Sequence, residues 1–140
     1  MSLKFEKILP NKTQINALYL ILKNRNYSIS HKFLPNFEEH ESFVKQNPYI
    51  AWYLIQKENL FIGNVYLNND NSIGINLVND FKDSDLVEII GFIKKNHKPL
   101  PPIKSIRRDE FFINVPSSNK HLIKTLKDLN KKEIQLTFLV

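Results

Sequence analysis

The chain has 140 residues and no cysteine, so disulfides, cysteine-based metal sites and thiol nucleophiles are excluded, and a single domain over residues 1–140 is expected. An apolar fraction of 42% argues against disorder, and no apolar run approaches the roughly 18 residues of a membrane span. The net charge of +6 comes from lysines spread along the whole chain, which speaks for a solvated basic surface and against a nucleic-acid partner.

No secretory pattern opens the sequence, and a cytoplasmic location is the expectation. Leu3, Phe5 and Lys7 alternate with Lys4, Glu6 and Ile8 as in a strand, which Pro10-Asn11 breaks. Ile15, Leu18, Tyr19 and Leu22 fall on one helix face, ended by Asn24-Arg25-Asn26. A polar loop follows to about Pro35. Phe37, His40, Phe43 and Val44 mark a short helix that Asn47-Pro48 stops.

Residues 51–56 and 60–67 are rich in β-branched and aromatic side chains, and Lys57-Glu58-Asn59 joins them as a hairpin. Asn68 to Asn71 is a turn, and Ser72 to Val78 a third strand. Leu86, Ile89, Ile90 and Ile93 make an amphipathic helix, beyond which Pro99, Pro101 and Pro102 forbid regular structure. Phe111 to Val115 is a buried-strand candidate. Leu122, Ile123, Leu126 and Leu129 form a last helix face, and Glu133 to Val140 is expected to close as a strand. The order β, α, α, β, β, β, α, β, α, β gives an α+β fold: a mixed sheet with helices packed on it and one parallel, right-handed crossover.

Trp52 and Tyr53 must point to opposite faces of their strand, one into the core and the other towards a cleft. Lys104, Arg107 and Arg108 form the densest basic patch, suited either to a phosphate or nucleotide-sugar ligand or to an exposed loop. His97 and His121 follow polar helix patterns and read as exposed. The four histidines lack metal-ligand spacing, so no metal is expected. No P-loop or Rossmann glycine fingerprint is present.

Several phrases carry a resemblance. These are Ser30-His31-Lys32-Phe33-Leu34-Pro35, Phe37-Glu38-Glu39-His40-Glu41-Ser42-Phe43, Pro48-Tyr49-Ile50-Ala51-Trp52-Tyr53-Leu54-Ile55, Ile62-Gly63-Asn64-Val65-Tyr66-Leu67, Asn71-Ser72-Ile73-Gly74-Ile75, Phe112-Ile113-Asn114-Val115-Pro116 with Asn119, and Ile134-Gln135-Leu136-Thr137-Phe138. In this order the chain resembles a small bacterial subgroup of the GNAT superfamily of N-acetyltransferases. The resemblance implies a mixed, mostly antiparallel sheet with two splayed parallel central strands, residues 72–78 and 111–115, and helices on both faces. It implies acetyl-CoA between those strands, transferring its acetyl group to an amine of a small molecule or amino sugar. The backbone of Asn76, Leu77 and Val78 would hold the pantetheine. Lys82 and Ser84 would meet the pyrophosphate at the next helix N-terminus. Asn114 and Asn119 would form the opposite lip. His31 and His40 lie in the acceptor wall and are the candidate catalytic bases, His40 having a packed structural role as its alternative. No membrane is implied, and monomer and homodimer both stay open.

The sequence departs from the family at the cofactor loop. Asp85 and Val87 occupy its glycine positions, which makes this a degenerate phosphate loop, and Asp80, Asp83 and Asp85 crowd the anion seat. A carboxylate about 5 Å from a phosphate charge, at an effective dielectric near 20, is repelled by roughly 3 kcal/mol. Asp85 and Glu88 also have capping-box spacing, so self-capping competes with phosphate binding for one set of N–H donors. In the last helix Leu122 replaces a small residue and Leu126 the family's proton-donating Tyr. Asn130 stands where the family has a glycine and is suited to a left-handed cap. The alternative is therefore a non-catalytic ligand- or partner-binding protein on the same fold.

Overall fold

A computed structural model describes residues 2–24, 34–78 and 80–140; His31 and most of the loop after the first helix lie outside the described residues. Strands β1 (Lys4–Lys7), β2 (Ala51–Lys57), β3 (Leu60–Leu67), β4 (Ser72–Leu77) and β5 (Phe112–Ile113) form one sheet in that order. Neighbours among β1 to β4 are antiparallel, and β5 runs parallel to β4. The helices are α1 (Lys12–Asn24), α2 (Phe37–Gln46), α3 (Asp83–Asn96) and α4 (Lys120–Asp128).

Strand alternation sorts the core into two faces. Trp52 and Leu54 pack with Ile8, Ile15, Leu18 and Val44 beneath α1 and α2. Ile55, Val65, Leu67 and Ile73 pack with Ile89 and Ile93 of α3. A third cluster joins Phe81 and Leu86 to Leu122 of α4, with Ile75, Leu77 and Val115 against it. Each fully buried aliphatic side chain of this kind contributes about 1.5–3 kcal/mol.

Caps fix the helix starts and stops. Asn36 accepts from Glu39 N–H at 2.8 Å and begins α2, and Asn47 ends it in the left-handed region at φ 45°. Buried Gln14 ties α1 to the first strand, donating to Glu6 Oε2 (2.8 Å) and Lys7 C=O (2.9 Å) and accepting from Leu9 N–H (2.7 Å).

Two strand expectations are corrected. Pairing of the fifth strand is confined to Phe112–Ile113, because Asn114 and Val115 have already left the ladder. Residues 133–140 form no strand. Every one of them is exposed, and none joins a ladder. The helix before them ends in a Schellman cap: Lys131 N–H donates to Leu126 C=O (2.9 Å), Asn130 N–H to Lys127 C=O (2.9 Å), and Asn130 takes the expected left-handed φ of 61°.

Candidate functional site

The cleft arises from the hydrogen-bond parity of β4. Asn68 N–H donates to Ser72 C=O (3.0 Å) and Val78 N–H to Ile62 C=O (2.9 Å). Both bonds cross from β3 to β4 at even-numbered positions of β4, so even-numbered residues there spend their amides on β3. Odd-numbered residues face the other way, as Asn71 C=O does in accepting from Phe112 N–H (3.3 Å). Ile73 is paired with Ile113, and beyond it β5 diverges. Ile75 and Leu77 thus turn N–H and C=O towards a gap. Of the three backbone positions expected there, Leu77 faces the gap; Val78 donates to Ile62 and Asn76 shares its parity, while Ile75 has the parity of Leu77.

Close packing holds β4 against β3. A Cβ on Gly63 would lie 2.1 Å from Asn76 O, and one on Gly74 2.1 Å from the Tyr66 ring. Only a bare Cα admits these approaches.

The gap leads to the start of α3, where the expected capping box is absent. Lys82, not Asp85, is the N-cap, and Glu88 instead accepts from Leu3 N–H (2.8 Å). Asp85 lies at the third helical position and turns inward, 3% exposed. Its carboxylate accepts from Lys82 N–H (2.9 Å) and from Lys57 Nζ with both oxygens (3.0 and 3.1 Å). Lys82 has no lone pair with which to complete a box. Burial pushes the Asp85 carboxyl up, but the Lys82 amide and the Lys57 ammonium outweigh it and hold it below the usual aspartate range. One of the three carboxylates crowding the seat is therefore neutralised and faces away. Asp80 and Asp83 are exposed, where water and salt screen them. The Asp83 and Ser84 amides, first in the helix, have no intrahelical acceptor and sit at the positive end of its dipole. Ser84 and the Lys82 side chain are exposed beside them.

On the far lip Asn114 is exposed, whereas the Asn119 side chain caps α4 by accepting from Leu122 N–H (3.2 Å). His121 stacks on Phe81 with ring centroids 4.1 Å apart, joining α4 to the loop before α3. Leu126 packs in the apolar cluster beneath.

His40 is buried under α1, its Nε2 3.0 Å from Ile15 C=O. A carbonyl only accepts, so Nε2 carries the proton and Nδ1 holds the lone pair. Burial lowers its pKa, opposed by the carbonyl. Tyr19 and Phe37 surround it. Trp52 donates from Nε1 to Asn64 Oδ1 (3.2 Å), and Tyr49 stacks on Tyr66 at 4.0 Å, so this face is aromatic.

Tyr53 does not reach the cleft. It lies two strands from β4, and its hydroxyl meets His97 Nε2 at 2.7 Å. His97 is accordingly half-buried rather than exposed. Burial, and secondarily Lys7, lower its pKa; burial raises that of Tyr53. In the basic patch Arg107 donates to Pro101 C=O (2.7 Å) and Asn69 C=O (3.2 Å), and Arg108 lies over the Phe112 ring at 5.4 Å. Both arginines are engaged by the chain's own loop, turn and strand, which favours the loop reading over a phosphate site.

The register behind this parity is the signal that the sequence lacks. Nothing local marks Ile75 as a cleft residue or Lys57 as the partner of Asp85.

With a parallel pair parting at the β5 end of the sheet and a helix following β4, this chain has the fold of the GNAT N-acetyltransferases. Solved structures similar to it include the Campylobacter jejuni N-acetyltransferase PseH in complex with acetyl coenzyme A, at 16% identity and TM-score 0.63, covering 97% of this chain and 92% of that one. AAC(6')-Iy in complex with a bisubstrate analogue, CoA-S-monomethyl-acetylneamine, is 13% identical with TM-score 0.62, covering 100% and 97%. The aminoglycoside acetyltransferase meta-AAC0020 from an uncultured soil metagenomic sample, in complex with sisomicin, is 14% identical with TM-score 0.54, covering 99% and 95%. No family model matches the chain, and no curated protein matches its sequence.

Proposed function

We propose that this chain is an acetyl-CoA-dependent N-acetyltransferase acting on a small amine of the amino-sugar class. The observation that carries it is the edge of β4: among the described residues, Ile75 and Leu77 pair with no strand on the side facing β5, along a gap ending at the first-turn N–H groups of α3. That edge suits an amide-bearing chain such as pantetheine, which would pair with it as a further strand. The Asp83 and Ser84 amides, with the Lys82 ammonium, suit the pyrophosphate. At one of the two glycine positions of the family's loop a side chain is then tolerable, because that of Asp85 points inward to Lys57. The solved neighbours that bind acetyl coenzyme A or a CoA analogue, and those named as aminoglycoside acetyltransferases, support the same reading.

Acetyl-CoA supplies a thioester whose carbonyl an amine attacks. Backbone N–H groups on the β4 edge would hold the developing oxyanion. A base must accept the amine proton. His40, through Nδ1, is the candidate base among the described residues, and His31, outside them, is the other that the resemblance implies. Leu126 offers no proton to the leaving thiolate, which leaves with water as its proton source.

Calorimetric titration with acetyl-CoA, CoA serving as control, tests binding; thiol release in the presence of amino sugars tests turnover. The absence of cysteine makes a thiol reagent free of protein background. Micromolar binding with amine-dependent release is expected. Leu77→Pro removes one N–H facing the gap and no β3 ladder bond, so it should weaken acetyl-CoA binding about tenfold, one hydrogen bond's worth, while leaving the fold intact. No binding at millimolar ligand would sink the enzyme reading; binding without release on any amine would favour the non-catalytic alternative, for which the replacement of Tyr by Leu126 is the motive.

A further inference from the structure

We propose, on the footing of the acetyl-transfer reading, that Asn64 and Asn76 select the acceptor, and that they select an uncharged, hydroxylated sugar ring bearing one amine rather than a polycation. Asn64 pairs across the strands with Leu54 on one side and Asn76 on the other, and Trp52 has the parity of Leu54. All three polar or aromatic side chains therefore share the side of the sheet on which α1 and α2 pack. Cross-strand partners such as Asn64 and Asn76 have Cβ atoms about 5 Å apart. Asn76 stands between Ile75 and Leu77, which puts the pair directly beside the gap.

Asn64 is only 5% exposed, yet half of its amide is uncommitted. Trp52 Nε1 can only donate, so the Asn64 atom that it meets at 3.2 Å is the oxygen, and Nδ2 turns away from the indole. Among the described residues Nδ2 has no hydrogen-bond partner, and neither has the half-buried Asn76 side chain. Asn64 Nδ2 is not sealed inside, because the one buried side-chain nitrogen or oxygen lacking a partner among the described residues is Asn47 Oδ1. A nearly buried amide that keeps its N–H groups open at the surface is suited to a ligand that accepts from them. With its oxygen held by Trp52, Asn64 can only donate there, which fits a hydroxyl or ring oxygen. Asn76 can donate and accept, which fits both ends of a hydroxyl. Beside them Tyr49 stacks on Tyr66, whose ring lies over Gly74, so aromatic surface adjoins a few directed polar groups.

The same face offers no charge to hold a polycation. β2, β3, β4 and α1 contain no Asp or Glu. Of the α2 carboxylates, Glu38 is exposed, Glu39 closes the cap of its own helix, and Glu41 pairs with Lys45 at 3.7 Å. The net charge of +6 repels a polycation further. In this respect the chain differs from what the names of its aminoglycoside-acetylating neighbours suggest.

Trp52 is the one tryptophan of the chain, so its emission reports on its partner Asn64. The full chain is titrated with D-glucosamine and with sisomicin, with and without CoA, and followed by this emission and by saturation-transfer NMR on the ligand. Saturable binding of glucosamine, at least about tenfold tighter than that of sisomicin, is expected. Asn76→Leu removes one polar group from a half-exposed position and should weaken glucosamine about tenfold. Asn64→Asp keeps the acceptor for Trp52 but replaces the donor by a charge; at about pH 8 it should weaken glucosamine to a similar degree and narrow or reverse the preference over sisomicin. Should Asn64→Asp fail to fold, Asn76→Leu carries the test alone. Sisomicin binding as tightly as glucosamine, no saturable glucosamine signal by either method, or wild-type affinity in both variants overturns the proposal. Acetyl-CoA binding without glucosamine binding would sink this inference and leave the transferase reading standing; glucosamine binding without acetyl-CoA binding would do the reverse and leave a sugar site.

Discussion

Replacing Lys57 by Met leaves the Asp85 carboxylate buried with Lys82 N–H as its remaining partner. The Asp85 side chain is 4% exposed and that of Lys57 23%. Removing one partner of a buried pair costs about 3–5 kcal/mol, and the rim position of Lys57, where water can enter, puts this pair near the lower value, about 3 kcal/mol. Met keeps the stem's packing, so the loss reports the charge. For a chain of this size the melting temperature should fall by about 10 °C at neutral pH. The pH dependence has a definite sign. The folded pKa of Asp85 is depressed, so its stabilisation is present above the ordinary aspartate value and is lost as pH falls through the lower folded value. The gap between wild type and Lys57→Met should therefore narrow in acid. Adding Asp85→Asn, which still accepts from Lys82 N–H but carries no charge, should restore most of the stability. Differential scanning calorimetry from neutral pH into acid measures all of this. A drop under about 3 °C, or a double variant as unstable as the single one, would refute the buried-pair argument.

Gly63→Ala puts a methyl group 2.1 Å from a backbone oxygen that cannot rotate away, and should cost about 2–3 kcal/mol in urea unfolding. His40→Phe removes the bond to Ile15 and should cost about 1 kcal/mol. Because the folded pKa of His40 is depressed, wild type should lose stability as pH falls from the ordinary histidine value towards the lower folded one; the variant should lose that slope, as melts across this range would reveal. Asn130→Gly should be neutral or slightly stabilising and Asn130→Ala should cost about 1 kcal/mol, read from thermal melts, because φ is 61°.

What could be read from the sequence was what repeats locally. The spacing of Leu86, Ile89 and Ile93 gave α3, and all three are fully buried. The turns at Lys57 and Asn68 gave the hairpins, with Glu58, Asn59 and Asn71 at positive φ. What failed depended on distant partners. Asp85 has the spacing of a cap with Glu88, yet Lys57, 28 residues away, claims its carboxylate. His97 looks polar along its helix, yet Tyr53 meets it from β2. The alternation at residues 133–140 was real, but alternation describes a side-chain pattern and a strand is a relation between two chains of amides. Asn76 and Leu77 are neighbours in sequence with opposite duties, and only the register with β3 distinguishes them.

Asn71 gives the cleft a mechanical character. Its buried side chain donates to Leu100 C=O (3.0 Å) and Arg108 C=O (2.8 Å) and accepts from Leu100 N–H (2.7 Å), while its own carbonyl holds Phe112 N–H. The vertex of the V formed by β4 and β5 is thereby riveted to the loop beneath it. Anything that widens the V must swing β5 as a lever about Ile73 and Ile113. Displacement then grows with distance from that fulcrum, small at Asn114 and larger at α4, so that a wedge entering between the strands would be felt most by the helix that carries the C-terminal segment.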